Sequence, residues 1–554
     1  MTSVTGSPGV ATASPTLSRG TLLAAAAAVA VAQIGLSIPA VINGYINQDL
    51  HTTSTTLTWV SDAFLVPITL LELSFGVVGD LFGRKRLLAI GASLMVLGGL
   101  IGFLTPPGRV SVLLTGQVVA GIGAAALFPT SIAMLAAGTR SVRERAHAIS
   151  IWAAALTGAG FLSPVMAGLL ARLHHSGGDY ASWRYAFLAM ALLALVSLAI
   201  TLLCAQNSSS PQGRSLDWPG QVTIAVALFA LLYAVIQGAE DGWGSLTVVG
   251  GFVVFVVVLA LFVVIERRVE NPLVRIELFA NRAWSVAAVV TVIGMFAYLG
   301  TAYDTSIRLS AIQEYTPLKT SIGFFCLNVM GVVLFPVSTR VIERYNPGWT
   351  LAAGLAMIGV GDLVLAAIPA TNLSIAAVAA PLLLVGAGFK LALTSITVVA
   401  INSVPTSDAG MASGMTSMLR DGGLTLGPAI VGAIALTSAA HAISAKITAT
   451  PSLQTALAQF YASPGAVPAE QRPAVAAAVG AVKSGPLGQN GVPAQVPGPD
   501  GQLVPFNPLK DVAFQALSHG YAIGYLVCGI AALTASLIAL TMLRTHHHEE
   551  PQWT

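Results

Sequence analysis

The feature that most constrains this chain is a series of long apolar runs that recurs from one end to the other. A helix rises about 1.5 Å per residue, so about 20 apolar residues cross the hydrocarbon core of a bilayer. Cutting the sequence at charges, Pro-Gly clusters and polar loops leaves fourteen such runs. They cover residues 20–45, 57–78, 87–105, 111–137, 147–171, 184–204, 217–238, 247–265, 284–307, 320–341, 350–369, 374–401, 412–438 and 517–543. The pattern predicts an all-α polytopic membrane protein with fourteen spans.

The composition argues against a soluble globular protein. Only 9% of the 554 residues are charged, 55% are hydrophobic, and the mean hydropathy is +0.80. Soluble proteins carry about 25% charged residues, which help to cover their surface. The net charge of +3 is too small to indicate a nucleic-acid partner. Cys204, Cys326 and Cys528 lie inside apolar runs, where a thiol behaves as a small hydrophobe, so no disulfide framework is expected.

The distribution of Lys and Arg predicts which loops face the cytoplasm. With the N-terminus inside, 15 of the 26 basic residues fall in cytoplasmic segments and four in short outer loops. Because cytoplasmic loops are enriched in Lys and Arg, both termini are expected to be cytoplasmic. The first apolar run is too long for the core of a signal peptide and is expected to remain as the first span.

Two sequence matches indicate an internal repeat. Leu87–Gly91 aligns with Thr350–Gly354 at an offset of 263 residues. Ser163–Gly168 aligns with Gly427–Gly432 at an offset of 264 residues. The matches predict two homologous six-helix halves with two further spans inserted between them. Paired halves that rock about a central site are the usual architecture of alternating access.

The spans and the repeat together predict how the chain is divided. The expected units are a cytoplasmic tail at 1–19, an N-terminal six-helix half at 20–204, two inserted helices with linkers at 205–282, a C-terminal six-helix half at 283–543, and a cytoplasmic tail at 544–554. The segment 441–516 is rich in Pro, Gly, Ala and Gln, so we expect an external loop with short helices at Ser452–Tyr461 and Pro468–Val482. This loop is either a disordered surface insertion or a lid over the outer mouth of a cavity.

A motif that combines glycines with charges lies between spans 2 and 3. It reads Gly76-Val77-Val78-Gly79-Asp80-Leu81-Phe82-Gly83-Arg84-Lys85-Arg86. Asp80 can pair with the basic residues that follow it, and Gly76 and Gly83 permit close approach and a sharp turn. We interpret Gly76, Asp80, Gly83 and the Arg84–Arg86 run as a cytoplasmic gate that opens when the halves rock. The alternative interpretation is a plain positive-inside turn.

This motif resembles the signature loop of the major facilitator superfamily. Ser163–Gly168, preceded by Gly158 and Gly160, resembles the span-5 motif of the fourteen-span drug:proton antiporters in that superfamily. The small residues allow tight helix packing and Pro164 bends the helix, so Gly160, Pro164 and Gly168 are expected to form an antiporter-type bend. Further similar segments are Trp183–Phe187, Leu216–Gly220 and Asn271–Phe279. The resemblance extends over residues 20 to 543 and implies a multi-pass exporter of the bacterial cytoplasmic membrane.

Two positions depart from the family pattern. Gly35 stands where the family usually carries an Asp in span 1, and Gln117 stands where it carries an Arg in span 4. The resemblance associates both missing groups with proton coupling. A proton-driven transporter with this sequence therefore needs other ionisable groups.

Polar residues inside the spans are candidates for a proton or substrate pathway. A charge in the bilayer interior is costly, so such residues usually face a cavity and act there, although a structural ion pair or a snorkelling side chain is the alternative. Asp62 and Asp421 match acids found in part of the family and are the favoured proton sites. Asp304 and Arg308 are four residues apart, a spacing that predicts a pair on one helix face. The candidates are Asp62, Glu72, Gln117, Asp304, Arg308, Lys390, Arg420 and Asp421, and Asp362 is a further acid within a span.

The expected activity is export of drugs or other amphipathic compounds by proton antiport. A carboxylate that loses its hydration binds a proton more readily, and a cationic substrate competes for it. The alternatives are an exporter of lipids or cell-envelope precursors without standard proton coupling, and a transport-inactive sensor or scaffold. The expected partners are an amphipathic or cationic small molecule, protons and the lipid bilayer, with no nucleic acid, and the chain is expected to be a monomer.

Motifs for other chemistry carry little weight. His174 and Asp179 have an acyltransferase-like spacing but flank Gly177 and Gly178, which predicts a turn in an outer loop. The histidines 546–548 are interpreted as part of a solvated tail. The sequence has no phosphate-binding Gly-Lys-Ser/Thr loop, which argues against an ATP-driven pump. No enzymatic activity, cofactor or metal is expected.

Overall fold

The architecture is that of an all-α polytopic membrane protein. The computed structural model describes residues 17–139, 142–173, 179–209, 217–269, 272, 274–334, 337, 340–341, 344–404, 409–462, 495–497, 503–505 and 510–543. Within these residues, 13 helices are long and apolar enough to cross a membrane. A shorter apolar helix, Pro317–Val333, lies at the position of the predicted tenth span. The predicted fold class is confirmed.

We number the helices as spans 1 to 14 in chain order. Span 1 comprises Arg19–Ser37 and Pro39–Leu50, which are separated by a break at Ile38. Spans 2 to 7 are Ser54–Phe82, Arg84–Phe103, Val110–Gly138, Val142–Leu170, Arg184–Cys204 and Trp218–Asp241. Spans 8 to 14 are Leu246–Glu266, Arg282–Ile307, Pro317–Val333, Pro347–Ala367, Ile375–Asn402, Ala409–Thr448 and Lys510–Met542. Short helical turns cover Asp179–Trp183, Ile276–Ala280 and Arg308–Ile312, the last of them π-helical.

The helices pack as two groups of six with the same internal arrangement. In the first group, span 1 contacts spans 4, 5 and 6, while span 3 contacts spans 4 and 6. The second group repeats much of this pattern: span 9 contacts spans 12, 13 and 14, and span 11 contacts spans 12 and 14. The inserted spans 7 and 8 contact each other, and span 7 lies against spans 2 and 13. Most of the contacts between helices therefore lie within each half, and one apolar core extends through both halves.

The two halves meet along spans 2 and 13 and along spans 5 and 10. A Cβ at Gly168 would lie 2.9 Å from the Leu318 Cα, and a Cβ at Gly432 would lie 2.9 Å from the Thr58 Oγ1. The two glycines are equivalent positions of the repeat, so the same close approach occurs twice. The Asn43 side chain also donates to the Ser306 Oγ at 3.1 Å, and these residues are 263 apart. Two equivalent residues of a repeat can contact each other only near the axis that relates the two halves. The Asn43–Ser306 contact therefore lies near this axis.

The long loop is shorter than the sequence predicts. Span 13 continues to Thr448 and span 14 begins at Lys510, because apolar side chains near both boundaries, among them Ile443 and Ala513, are buried in the helical bundle. The helix Pro451–Ala462 agrees with the predicted short helix at 452–461. Two antiparallel strands, β1 (Gln495–Pro497) and β2 (Leu503–Pro505), were not predicted. The predicted helix at 468–482 lies outside the described residues.

Candidate functional site

A buried ionic cluster, formed by Glu72, Arg420 and Asp421, joins span 2 to span 13. The Arg420 Nε and Nη2 donate to the two carboxylate oxygens of Asp421 at 2.7 and 3.0 Å. The Arg420 Nη2 lies 3.8 Å from the Glu72 Oε1, while the Glu72 Oε2 has no hydrogen-bond partner. The Arg420 side chain is 29% exposed, against 9% for Glu72 and 7% for Asp421. The guanidinium is therefore the most accessible member of the cluster.

Hydroxyl groups fasten the same two helices beside the ionic cluster. The Thr69 hydroxyl lies 2.6 Å from the Thr425 hydroxyl and donates to the Asp421 carbonyl at 3.1 Å. Thr69 precedes Glu72 by one turn, so polar contacts occupy successive turns of span 2. The sequence assigned Glu72, Arg420 and Asp421 separately, and the packing of the halves brings all three together.

Asp62 is buried on span 2 but does not join the ionic cluster. It precedes Glu72 by ten residues, which is about 15 Å along a helix. Neither carboxylate oxygen of Asp62 has a hydrogen-bond partner, and the residue is 0% exposed. Gln117 of span 4 donates to the Val60 carbonyl at 2.9 Å, and its own Oε1 has no partner. The two favoured proton sites, Asp62 and Asp421, therefore lie at different depths.

A second acidic group lies inside the C-terminal half, where span 9 meets spans 11 and 14. The predicted pair between Asp304 and Arg308 is wrong: both Asp304 oxygens lack a hydrogen-bond partner. Arg308 begins the π-helical turn and donates instead to the carbonyls of Leu365 and Pro369, at 3.3 and 3.0 Å. Both carbonyls also accept a backbone N–H, from Ile368 and Asn372 respectively, so the guanidinium adds a second donor at each of them. The Asp304 carboxylate remains close enough to Arg308 and to Asp362 for both charges to act on it.

The remaining pathway candidate, Lys390, lies on span 12. It is buried, and it adjoins Phe389, whose ring stacks on the Tyr298 ring of span 9 at a centroid distance of 3.5 Å. Sequence reasoning left Asp362 and Tyr303 out of the candidate list. Asp362 carried a visible signal as an isolated acid within a span. Tyr303 carried none, because a tyrosine within a span is common.

The gate motif is a tight connection between spans 2 and 3. The Arg84 Nη2 and Nε donate to the Asp80 Oδ1 at 2.6 and 2.9 Å, and both residues are buried. Gly83 has a φ of 103°, a backbone conformation that strongly favours glycine. A close approach at Gly76 was wrongly predicted, because a Cβ there would meet only the Pro129 Cβ at an ordinary 3.8 Å.

The gate motif is also bound to the segment that follows span 6. The Lys85 Nζ donates to the Leu202 carbonyl at 2.9 Å, and the Lys85 backbone N–H donates to the Asn207 Oδ1 at 3.2 Å. The Arg84 backbone N–H donates to the Ser208 carbonyl at 2.9 Å. Arg86 is exposed. These contacts tie the loop to a second helix of its own half.

The predicted bend in span 5 contacts both halves. Pro164 lies inside the continuous helix Val142–Leu170. A Cβ at Gly160 would lie 3.3 Å from the Gln33 Nε2 of span 1, and Gly168 packs against the start of span 10. The Ser163 hydroxyl donates to the Ile34 carbonyl at 3.2 Å. Small residues thus bring span 5 close to span 1 and to the opposite half.

Comparison with known proteins places these features in a family. The sequence profile of the Major Facilitator Superfamily matches residues 23–428. Multidrug resistance protein Stp of Mycobacterium tuberculosis is 33% identical over 378 residues, which cover 68% of each chain. Tetracenomycin C resistance and export protein of Streptomyces glaucescens is 26% identical over 418 residues, which cover 75% of each chain. Drug efflux pump JefA of M. tuberculosis is 26% identical over 417 residues, covering 75% of this chain and 80% of JefA.

Solved transporter structures share the fold at low sequence identity. A mutant of the peptide transporter POT superposes with a TM-score of 0.58 at 12% identity, covering 95% of this chain and 97% of the transporter. A POT family transporter in complex with 5-aminolevulinic acid gives a TM-score of 0.59 at 10% identity, covering 94% and 95%. The profile match and the fold agree with the loop motif, the repeat and the helix packing. The chain is a multi-pass membrane protein that belongs to the Major Facilitator Superfamily.

Proposed function

We propose that this protein is a secondary active transporter that exports small amphipathic molecules in exchange for protons. The observation that carries the proposal is the ionic cluster of Glu72, Arg420 and Asp421, which bridges the two halves within the membrane interior. The similarity to proteins named for drug resistance and drug efflux supports the substrate class and the direction of transport. Charges are expensive to bury in a membrane, so the presence of an ionic cluster at this position supports a functional role.

The geometry of the cluster suggests how a proton acts on the halves. Arg420 is held by Asp421 on its own helix, so its attraction to Glu72 at 3.8 Å is an ionic link across the interface, next to the hydrogen bonds of Thr69. A proton that binds the Glu72 carboxylate removes the negative charge and with it this attraction. The same proton removes the repulsion between Glu72 and the Asp421 carboxylate, so protonation changes the balance of charges between spans 2 and 13. A cationic substrate near Glu72 competes with the proton for the same carboxylate, which couples the two movements.

The test is transport of the fluorescent cation ethidium into inside-out vesicles, with and without an imposed pH gradient. The parent protein is expected to accumulate ethidium only with the gradient. Glu72→Gln is expected to abolish accumulation while downhill exchange continues, because exchange needs no net proton movement. Glu240→Gln is the matched control, since Glu240 is exposed at the end of span 7. Gradient-driven accumulation by Glu72→Gln would remove Glu72 from the coupling step.

The same experiment tests a second function, the carrier without standard proton coupling. Gly35 and Gln117 occupy the two positions where the resembling family carries its coupling groups, and this observation favours the alternative. A parent protein that transports at the same rate with and without the gradient would support that carrier and contradict antiport.

A further inference from the structure

A cavity of about 320 Å³ lies where spans 9 and 11 end and span 14 begins. This side of the molecule is predicted to be external. Its walls are the π-helical turn Arg308–Ile312, residues 366–371 at the end of span 11, and residues 514–525 of span 14. The polar lining consists of Arg308, Thr371, Gln515, Ser518, His519, Tyr521 and Tyr525. The cavity thus combines an apolar wall with a few polar groups, and it lies within the C-terminal half, away from the ionic cluster.

An aspartate pair, Asp304 and Asp362, lies just beyond the inner end of this cavity. Asp304 is one helical turn from Arg308, which lines the cavity. A Cβ at Gly524 of span 14 would lie 2.5 Å from the Asp304 Oδ2, and a Cβ at Gly529 would lie 3.2 Å from the Asp362 Cβ. Because span 14 runs away from the cavity, Asp304 is the nearer acid and Asp362 lies about one turn deeper.

The polar atoms of this region lack partners. Asp304 and Asp362 are both 0% exposed. The two oxygens of Asp304 and the Oδ2 of Asp362 have no hydrogen-bond partner, whereas the Asp362 Oδ1 accepts from the Thr301 hydroxyl at 2.7 Å. The Tyr521 hydroxyl and the Arg308 Nε, both on residues that line the cavity, are also without partners. The unpartnered groups therefore extend from the cavity wall to the acids.

Two buried carboxylates that interact are unstable when both are ionised. Each has lost its hydration, and the like charges repel each other. The nearest fixed positive charge, the Arg308 guanidinium, is bound to backbone carbonyls of span 11. The other titratable groups near the pair are Tyr303 on span 9, Tyr521, Tyr525 and Cys528 on span 14, and His519 in the cavity wall. A proton on one carboxyl removes the repulsion between the two carboxylates. It also gives the pair a hydrogen-bond donor for one of the unpartnered oxygens.

We propose that the Asp304–Asp362 pair is a second proton-binding site, loaded from the predicted external side through the cavity. The proton leaves a hydronium ion in the cavity and binds a carboxylate oxygen of the pair. The inference deepens the proposed antiport and rests on it, because it names an outer loading site distinct from the ionic cluster.

Tyr303 connects this site to the N-terminal half. It lies one position before Asp304 on span 9. Its hydroxyl lies 2.8 Å from the Thr58 hydroxyl of span 2. The hydroxyl contact of Tyr303 therefore joins span 9, next to the aspartate pair, to span 2 of the N-terminal half.

The test measures protonation directly and needs no transport. Dicyclohexylcarbodiimide modifies protonated carboxyl groups in apolar surroundings, and peptide mass spectrometry locates the modification. The protein is reconstituted, and the two orientations are distinguished with an impermeant surface label. The pH on the predicted cytoplasmic side is held constant. Modification of Asp304 or Asp362 is expected to rise as the outer pH falls, by up to about tenfold per unit below saturation. The double variant Asp304→Asn, Asp362→Asn is expected to lose this modification.

A second pair of variants tests the route. Ser518→Trp fills the cavity and is expected to reduce the response to outer pH several-fold. Leu537→Trp is the control, because Leu537 lies on the same helix with 61% exposure. Three results would overturn the proposal. The modification could be independent of the outer pH, it could depend on the cytoplasmic pH, or sodium could suppress it at constant pH.

The two proposals fail in distinguishable ways. If ethidium transport is independent of the pH gradient while the modification depends on the outer pH, proton antiport is wrong and the aspartate pair is still supported as a proton-binding site. If transport is proton-driven while modification ignores the outer pH, only the aspartate site is wrong.

Discussion

Gly35 of span 1 stands where the resembling family carries an Asp, and neighbouring side chains pack closely against it. A Cβ at this position would lie 2.8 Å from two ring atoms of Phe64 and 3.1 Å from the Met95 Cε. Span 1 therefore packs directly on spans 2 and 3 where the resembling family carries an acid. A carboxylate fits at this position only if the Phe64 ring and the Met95 methyl group move. The position of the family's Asp is therefore occupied by apolar packing in this protein.

This packing predicts the effect of restoring the family residue. Gly35→Asp is expected to lower the free energy of unfolding by at least about 1–3 kcal/mol from overpacking, with a further cost for an unpartnered carboxylate. The measurement is the midpoint of thermal unfolding of the purified protein in detergent. Gly158→Ala is the control, because a Cβ at Gly158 meets nothing within 4 Å. An unchanged midpoint for Gly35→Asp, together with stronger proton-driven transport, would contradict this account.

At the scale of elements, the connection between spans 2 and 3 is set by one glycine and one ion pair. Gly83 ends one helix and begins the next with a positive φ, which allows the chain to reverse without a loop. Asp80 and Arg84 then face each other across this turn at 2.6 Å. Asn207 and Ser208 hold the start of span 3 from the side. The connection is a rigid joint rather than a flexible linker.

We expect Asp80→Asn to slow transport while membrane insertion continues. The substitution leaves the buried Arg84 without its charged acceptor, and such hydrogen bonds contribute about 1.5–3 kcal/mol. If that interaction is needed in the rate-limiting step, the rate falls roughly tenfold to a hundredfold. The readout is the initial rate of ethidium export, normalised to protein in the membrane. Arg86→Gln, which changes an exposed residue of the same loop, should leave the rate unchanged. A normal rate for Asp80→Asn would reduce the motif to a topology signal.

At the scale of the whole molecule, the repeat organises the interface between the halves. Span 2 pairs with span 13 and span 5 with span 10, so each half contributes equivalent helices to the contact. The Asn43–Ser306 hydrogen bond and the paired close approaches at Gly168 and Gly432 lie along this interface. The second part of span 1 adds contacts with spans 9 and 10, so rocking of the halves as bodies must also break contacts near this axis.

The orientation of the whole molecule is predicted from charge alone and has a direct test. In a background with Cys204→Ser, a cysteine at Ser452 is expected to react with an impermeant maleimide in intact cells. Ser452 lies in the short helix after span 13, on the side predicted to be external. A cysteine at Ser209, which is exposed after span 6, is expected to react only after permeabilisation. The reverse pattern would invert the topology and place the cavity of spans 9, 11 and 14 on the cytoplasmic side.

The sequence by itself determined the helical state and the approximate number of the spans. An apolar run of about 20 residues has no alternative to a helix in lipid, because every backbone group must be satisfied within the segment. Residues 441–448 and 510–516 were misassigned to the loop, because their burial depends on neighbouring helices that the local pattern does not contain.

Only the tertiary structure decided which charges meet. Glu72 and Arg420 are 348 residues apart and lie 3.8 Å from each other, while Asp304 and Arg308, four residues apart, do not pair. Helical spacing places two side chains on one face, but the partner each one finds depends on competing groups on other helices. For Arg308 the competing groups are the carbonyls of Leu365 and Pro369, and the packing of the C-terminal half alone brings them within reach.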